Sequence, residues 1–191
     1  MAEHPLDDVE LMLGVQNGDV ESFDCIVAIY QPRLTGFFRR VVGVAAPVED
    51  LCQDVFFSLH RSRATYRPTA PLSSWIFRIA SNIATSHLRA LARRDEVSLG
   101  EISPSLPDRK SSTPEEMIDR LEEHEAVRAA IMTLSPKERA AMVMSKYEGM
   151  SYGQIGFALE SSVAAIRSLL SRARARLRDV LVRYLNSGKM P

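Results

Sequence analysis

Apolar residues recur every three or four positions along most of this chain, and no stretch of any length alternates with the period of two that marks a half-buried strand. From Asp8 to Val44 the pattern is helical. Asn17-Gly18 ends a short first helix, and Asp19 caps a longer one whose apolar positions include Phe23, Ile26, Val27, Tyr30, Leu34, Phe37, Phe38 and Val41. Pro32 falls inside that run and predicts a kink. After a turn over Gly43 to Pro47, the stretch Val48 to Arg63 sets Leu51, Val55, Phe56 and Leu59 toward a core. Asp50, Gln53, Asp54 and Phe57 share another side. Arg67 to Ser74, with Pro68 and Pro71, reads as a loop. The segment LSSWIFRIASNIATSHLRALARR then forms a long helix, with Ile76, Ile79, Ala80, Ile83 and Leu88 inward and Trp75, Arg78, Asn82, His87 and Arg89 on the opposite face.

Periodicity fails over Asp95 to Ser112, DEVSLGEISPSLPDRKSS, which reads as a linker. Thr113-Pro114-Glu115-Glu116 restarts helix, with Thr as cap and Pro at the first position. Met117, Ile118, Leu121, Val127, Ile131 and Leu134 make that helix amphipathic. Ser135-Pro136-Lys137-Glu138 repeats the start signal for a helix running to about Glu148, and Gly149 ends it. Ser151 and Gln154 are spaced as a capping box for a short helix with Ile155, Ala158 and Leu159 on its apolar face. A break at Glu160-Ser161-Ser162 follows, and Ser162 caps a longer helix with Val163, Ile166, Leu170, Ala173 and Leu177 at helical spacing. Arginines and serines occupy much of the rest of that helix. A short helix, a tight turn and a longer basic helix form a helix-turn-helix pattern.

The expected fold is therefore all-α, with two helical domains on a flexible linker. The boundaries fall at 1–95 for the N-terminal helical domain, 96–114 for the linker, 115–186 for the helix-turn-helix domain and 187–191 for a polar tail.

The formal net charge of zero hides segregation along the chain. Residues 1–60 carry 3 basic and 10 acidic side chains, and residues 61–95 carry 7 and 1; residues 96–141 carry 6 and 10, and residues 142–191 carry 8 and 3. Two basic blocks between acidic ones point to two phosphate-facing surfaces, with the acidic blocks free to meet a basic protein. Solvated helix faces give the same segregation without function. No run of about 18 apolar residues appears, and the acidic N-terminus is unlike a secretory signal, so cytoplasmic residence is the expectation. Cys25 and Cys52 lack metal or redox spacing and read as reduced core residues. The scattered His4, His60, His87 and His124 match no ligand motif, so no metal or other cofactor is expected.

Trp75 beside Arg78 and Asn82 has the composition of a surface that stacks and hydrogen-bonds unpaired bases; a core anchor is the equal alternative for a lone Trp. Acidic residues at the start of the Val48 helix favour its macrodipole, which accounts for Glu49 and Asp50 better than for Gln53 and Asp54. No Gly-rich phosphate loop, acid–base pair or nucleophile motif is present, so neither catalysis nor a small-molecule substrate is expected.

With VEDLCQDVF, SSWIFRIASNIA…LR and LSPKERAAMVMSKYEGMSYGQI…SRARARLR in this order, the chain resembles the extracytoplasmic-function (ECF) group of bacterial sigma factors over roughly residues 18–95 and 120–183. The resemblance implies a promoter-directing initiation factor for core RNA polymerase. It implies that the acidic helix, through Asp50, Gln53 and Asp54, docks on the clamp coiled coil of the largest subunit, with a further contact at the flap. It places −10 element recognition on Trp75, Arg78, Asn82 and His87, and −35 element recognition on Arg167, Ser168, Ser171, Arg172 and Arg174. It also implies control by an anti-sigma factor, in some cases membrane-tethered.

Two departures from the family pattern stand out, one in the turn and one in the helix after it. Glu160 and Ser161 stand in the turn where Gly and an apolar residue are usual, and a non-Gly residue in a left-handed turn costs roughly 1 kcal/mol. Leu169 stands where a basic residue is common. Weak intrinsic −35 binding follows, with Glu160→Gly expected to tighten it. Two other readings of the residues remain at this point: a stand-alone helix-turn-helix regulator, and an interaction module that keeps the fold without promoter binding.

Overall fold

A computed structural model describes residues 8–95 and 127–187 of the chain. The linker, the helix restart at Thr113 with Met117, Ile118 and Leu121, and the end of the tail lie outside the described residues. All regular structure among the described residues is helical: α1 (Asp8–Gln16), α2 (Val20–Val41), α3 (Val48–Ser62), a 3-10 turn (Arg63–Thr65), α4 (Leu72–Asp95), α5 (Pro136–Lys146), α6 (Tyr152–Ala158) and α7 (Val163–Ser187). A further helical run over 127–132 precedes α5.

Several helix starts have an identifiable cause. Gly18, at φ +86°, turns the chain out of α1, and the Asp19 carboxylate accepts hydrogen bonds from the amides of Glu21 (3.1 Å) and Ser22 (3.2 Å) at the start of α2. The Ser22 hydroxyl also donates to Asp19 and, with these amides, holds its carboxyl below the usual range. Ile26, Tyr30, Leu34, Phe37 and Phe38 then recur at helical spacing and are fully buried. The Tyr30 hydroxyl donates to Asp8 at 2.7 Å, and burial together with Asp8 pushes its pKa up. Helix α2 runs on through Pro32, which removes one ladder hydrogen bond without ending the element.

Helix α4 begins at Leu72, the first residue of the segment read as helix, so the preceding loop ends before Ser74: buried Leu72 anchors the first turn, and the Ser74 amide already donates to the Pro71 carbonyl (2.9 Å). Cys52 is buried as expected, but Cys25 is exposed. It stands one residue off the Ile26 stripe and turns outward. Val163, assigned to the apolar stripe of α7, is likewise exposed at the helix start.

The two halves share one hydrophobic core. Buried residues of α1 to α4, from Leu11 to Ala84, form a continuous cluster with Ala140, Ala141, Met144, Ile155, Ala158 and Ile166 of the C-terminal half. Helix α5 packs on α2 and α4, and α6 packs on α4. The junction also carries polar contacts: Arg33 with Glu148 at 2.8 Å, Arg40 stacked 4.0 Å from the centre of the Tyr147 ring, and Arg78 with Glu160.

Candidate nucleic-acid interface

The helix-turn-helix is built from backbone satisfaction upward. The Ser151 hydroxyl accepts from the Gln154 amide (3.3 Å) while the Gln154 side chain accepts from the Ser151 amide (2.7 Å), which fixes the start of α6. The turn closes tightly on Gly156. Its carbonyl accepts from the Ser161 amide at 2.8 Å, and a Cβ there would sit 2.7 Å from the Ser161 carbonyl oxygen. Glu160 takes the left-handed conformation, φ +49°, that the departure from Gly implies. Ser162 then caps α7 by accepting from the Ala165 amide at 3.2 Å.

On α7, Ile166, Leu170 and Ala173 are fully buried, which leaves Arg167, Ser168, Ser171, Arg172 and Arg174 all exposed on the outer surface. At about 3.6 residues per turn, Arg167, Ser171 and Arg174 form one flank and Arg172 lies on the other with Arg176. Leu169 is half-buried and packs against the core, so its apolar character has a structural use. Arg176 is tied back: its guanidinium donates to Glu138 at 3.0 Å. Glu138 also accepts from the amide (2.9 Å) and hydroxyl (2.8 Å) of Ser135. Burial works against the Glu138 carboxylate, yet the Ser135 hydrogen bonds and the charges of Arg176 and Arg172 outweigh it and hold its pKa below the usual value.

Helix α4 carries the second set. Trp75 is half-buried against the core, with its ring 5.1 Å from that of Tyr66, so the indole packs as an anchor. Asn82 and Arg89 are exposed and His87 is half-buried. Arg78 faces the other half of the molecule, where it pairs with Glu160 and lies 5.6 Å from the Phe157 ring centre.

On α3, Asp50, Gln53 and Asp54 are all exposed, and Phe57 beside them is 66% exposed. Two expected surfaces adjoin here: Asp54 shares a groove of about 360 Å³ with Leu51, Asn82, Ile83, Ser86 and His87. Sequence reasoning missed a second groove, of about 450 Å³, lined by Val15, Val20, Phe23, Gln53, Phe56 and Phe57. Its signal was the Phe56-Phe57 pair, since adjacent aromatics on one helix cannot both face the core.

An exposed basic helix after a tight turn, packed on a second helical unit with separate acidic and polar faces, defines a two-part helical DNA-binding factor. Residues 26–94 match the Sigma-70 region 2 family and residues 124–177 match Sigma-70 region 4. The RNA polymerase sigma-H factor of Pseudomonas aeruginosa is 31% identical over 182 residues, covering 91% of this chain and 93% of that protein. The ECF RNA polymerase sigma factor SigM of Mycobacterium tuberculosis is 30% identical, covering 97% of this chain and 89% of that protein. In structure, CnrH in complex with the cytosolic domain of CnrY superposes with a TM-score of 0.69 at 25% identity, over 92% of this chain and 97% of that one. The sigma factor RpoE of Bartonella quintana, in complex with the anti-sigma factor NepR, shares the fold, with a TM-score of 0.68 at 24% identity over 85% of this chain and 98% of that one. The chain belongs to the ECF group of RNA polymerase sigma factors.

Proposed function

We propose that this sigma factor binds core RNA polymerase through the exposed acidic face of α3, with Asp50, Gln53 and Asp54 docking on the clamp coiled coil of the largest subunit and the C-terminal half reaching the flap. In this reading Arg78, Asn82 and His87 of α4 engage the melted −10 element, with Trp75 holding the helix in place. Arg167, Ser168, Ser171, Arg172 and Arg174 of α7 read the −35 duplex in the major groove, where each good base contact is worth about 1–3 kcal/mol. Residues 96–114 join the two functions within the polymerase. The phosphodiester chemistry belongs to the polymerase, so the factor acts in the cytoplasm as a specificity subunit without catalysis of its own. An anti-sigma factor holds it inactive, a reading supported by the similar sigma factor RpoE, whose structure contains the anti-sigma factor NepR.

The observation that carries this reading is the three-residue acidic and amide face of α3, exposed on a helix whose other side is fully committed to the core. A free-standing regulator has no use for that face. The test is a titration of labelled chain against core polymerase, repeated with Asp50→Arg/Asp54→Arg. Tight binding that collapses in the double variant is the expected result. Retained binding in the variant would remove the docking assignment.

A further inference from the structure

Gln16, the last residue of α1, reaches past the end of α3 and donates its side-chain amide to two backbone carbonyls, Arg63 at 2.7 Å and Tyr66 at 3.1 Å. Resting on the sigma-factor reading, we infer that Gln16 is a positioning residue for the −10 element. It fixes the loop Arg67–Pro71 that feeds α4, and through the Tyr66 carbonyl it sets Arg67, a further contact to the nucleic acid.

The clasp is held from both sides. Carbonyls at the end of a helix lack intrahelical partners and must find donors elsewhere. Beyond α3 the chain tightens into the 3-10 turn Arg63–Thr65, where the Arg63 carbonyl accepts from the Tyr66 amide at 3.2 Å. Gln16 adds the second donor there and one at Tyr66, from 47 and 50 residues away. A primary amide has two N–H groups, and both are used. The helix that carries Gln16 is itself anchored: Leu11, Met12 and Val15 are buried, and the Tyr30 hydroxyl holds Asp8 at its other end.

What Gln16 holds is the entry to the −10 face. Tyr66 and Leu72 are buried and pin the two ends of the loop, while Arg67, Pro68, Thr69 and Pro71 between them are exposed. Pro68 and Pro71 each fix a φ angle, and the Thr69 amide donates to the Arg67 carbonyl at 2.7 Å, so the loop moves with its ends. Tyr66 is the end that Gln16 controls, and its ring packs 5.1 Å from that of Trp75 in the first turn of α4.

The Tyr66 carbonyl also couples Gln16 to Arg67. Arg67 Nη1 donates to that oxygen at 3.0 Å and to the Ala64 carbonyl at 3.3 Å. An oxygen with two lone pairs accepts from both residues at once. These bonds use Nη1, which leaves Nε and Nη2 to meet a phosphate or a base edge. The surroundings suit an anionic strand: residues 61–95 carry 7 basic side chains and 1 acidic, and the acid is Asp95 at the far end of α4.

A merely structural Gln16 would, when replaced, weaken every activity of the N-terminal half together. A positioning Gln16 spares polymerase docking, because Asp54 lies about 13 Å back along α3 from Arg63. Gln16→Met keeps the length and removes the donors; Gln16→Glu turns acceptors on the same carbonyls. These variants, Arg67→Ala and the Gln16→Met/Arg67→Ala pair are tested as full chains bound to core polymerase. The DNA is a promoter selected by the parent complex from a randomised library, with 2-aminopurine in the −10 element reporting strand separation. Core affinity and the half-saturating complex concentration are expected to stay at parental values in the single variants. The maximal opening rate is expected to fall about threefold to tenfold in Gln16→Met, and further in Gln16→Glu. Arg67→Ala lowers it too, and the pair falls by less than the product of the two single effects. In the free chain, hydrogen exchange over residues 64–70 quickens in Gln16→Met while the α2 core is unchanged. Parental opening in both Gln16 variants, a loss of core affinity that accounts for the whole defect, or Gln16 and Arg67 effects that multiply would overturn the inference. A parent that binds no core polymerase sinks the sigma-factor reading and this inference with it; that failure is distinct from one in which the parent binds and opens DNA and the variants match it.

Discussion

The guanidinium of Arg33 donates to the carboxylate of Glu148 at 2.8 Å, across 115 residues of sequence. Arg33 also lies 4.7 Å from the Tyr30 ring centre and 5.6 Å from that of Phe77, so the cation is held by two aromatic faces as well as by its ion partner. The Glu148 side chain is only 8% exposed. Removing Arg33 would therefore leave a carboxylate with little access to water, whereas removing the Glu148 charge would leave a cation that still reaches solvent.

That asymmetry gives the first prediction. Arg33→Ala is expected to destabilise the chain by about 1–3 kcal/mol, more than Glu148→Gln does, because the stranded buried charge and not the lost attraction dominates the cost. Urea unfolding of both variants tests it. Equal effects would show that Glu148 finds water or another donor once Arg33 is gone.

The second concerns the turn of the helix-turn-helix. Gly156→Ala puts a methyl group 2.7 Å from the Ser161 carbonyl oxygen, a backbone atom that cannot rotate aside. The turn must open, and α7 shifts relative to α6. Loss of promoter binding by the polymerase complex, with core polymerase affinity retained, is the expected outcome. Normal transcription from Gly156→Ala would mean that the turn tolerates the displacement.

The third separates the arginines of α7. Arg167→Ala and Arg172→Ala are each expected to cost about 1–3 kcal/mol in affinity for a −35 duplex selected by the polymerase complex from a randomised library. Arg176→Ala is expected to cost less in DNA binding, since its guanidinium is committed to Glu138 at 3.0 Å. An Arg176→Ala defect as large as that of Arg172→Ala would place Arg176 on the DNA instead.

Helix starts were the most legible part of this chain. Asp19, Ser135, Ser151 and Ser162 each put a side-chain oxygen within reach of the first free amides, a local event that needs no knowledge of the rest of the fold. The exposure of Asp50, Gln53 and Asp54 followed equally well from the spacing of Leu51, Val55 and Leu59. What sequence could not supply was the pairing of distant surfaces. Glu148 looks like an ordinary solvated acid, Glu160 stands out only as a non-Gly residue in a turn, and only the packing of α5 on α2 and α6 on α4 brings them to Arg33 and Arg78. Cys25 failed for a smaller reason: a position beside an apolar stripe is one helical step, about 100°, away from it.

The last prediction is a pH dependence seated at Glu138. Its carboxyl is held below the usual value of 4.5, so the ionised form is favoured in the folded chain relative to the unfolded one. The sign follows directly: the contribution is fully present above 4.5 and is lost as pH falls through the lower, folded value. Ser135 and Arg176 both depend on that charge, the first for the cap of α5 and the second for its tie from α7. Glu138→Gln is thus expected to lower stability at neutral pH and to flatten its decline below 4.5, while Arg176→Ala flattens it in part. Urea unfolding from neutral to acid pH on the three proteins measures both effects. Parallel acid profiles in parent and Glu138→Gln would assign the decline to other carboxylates, Asp19 first among them, whose pKa is also held low.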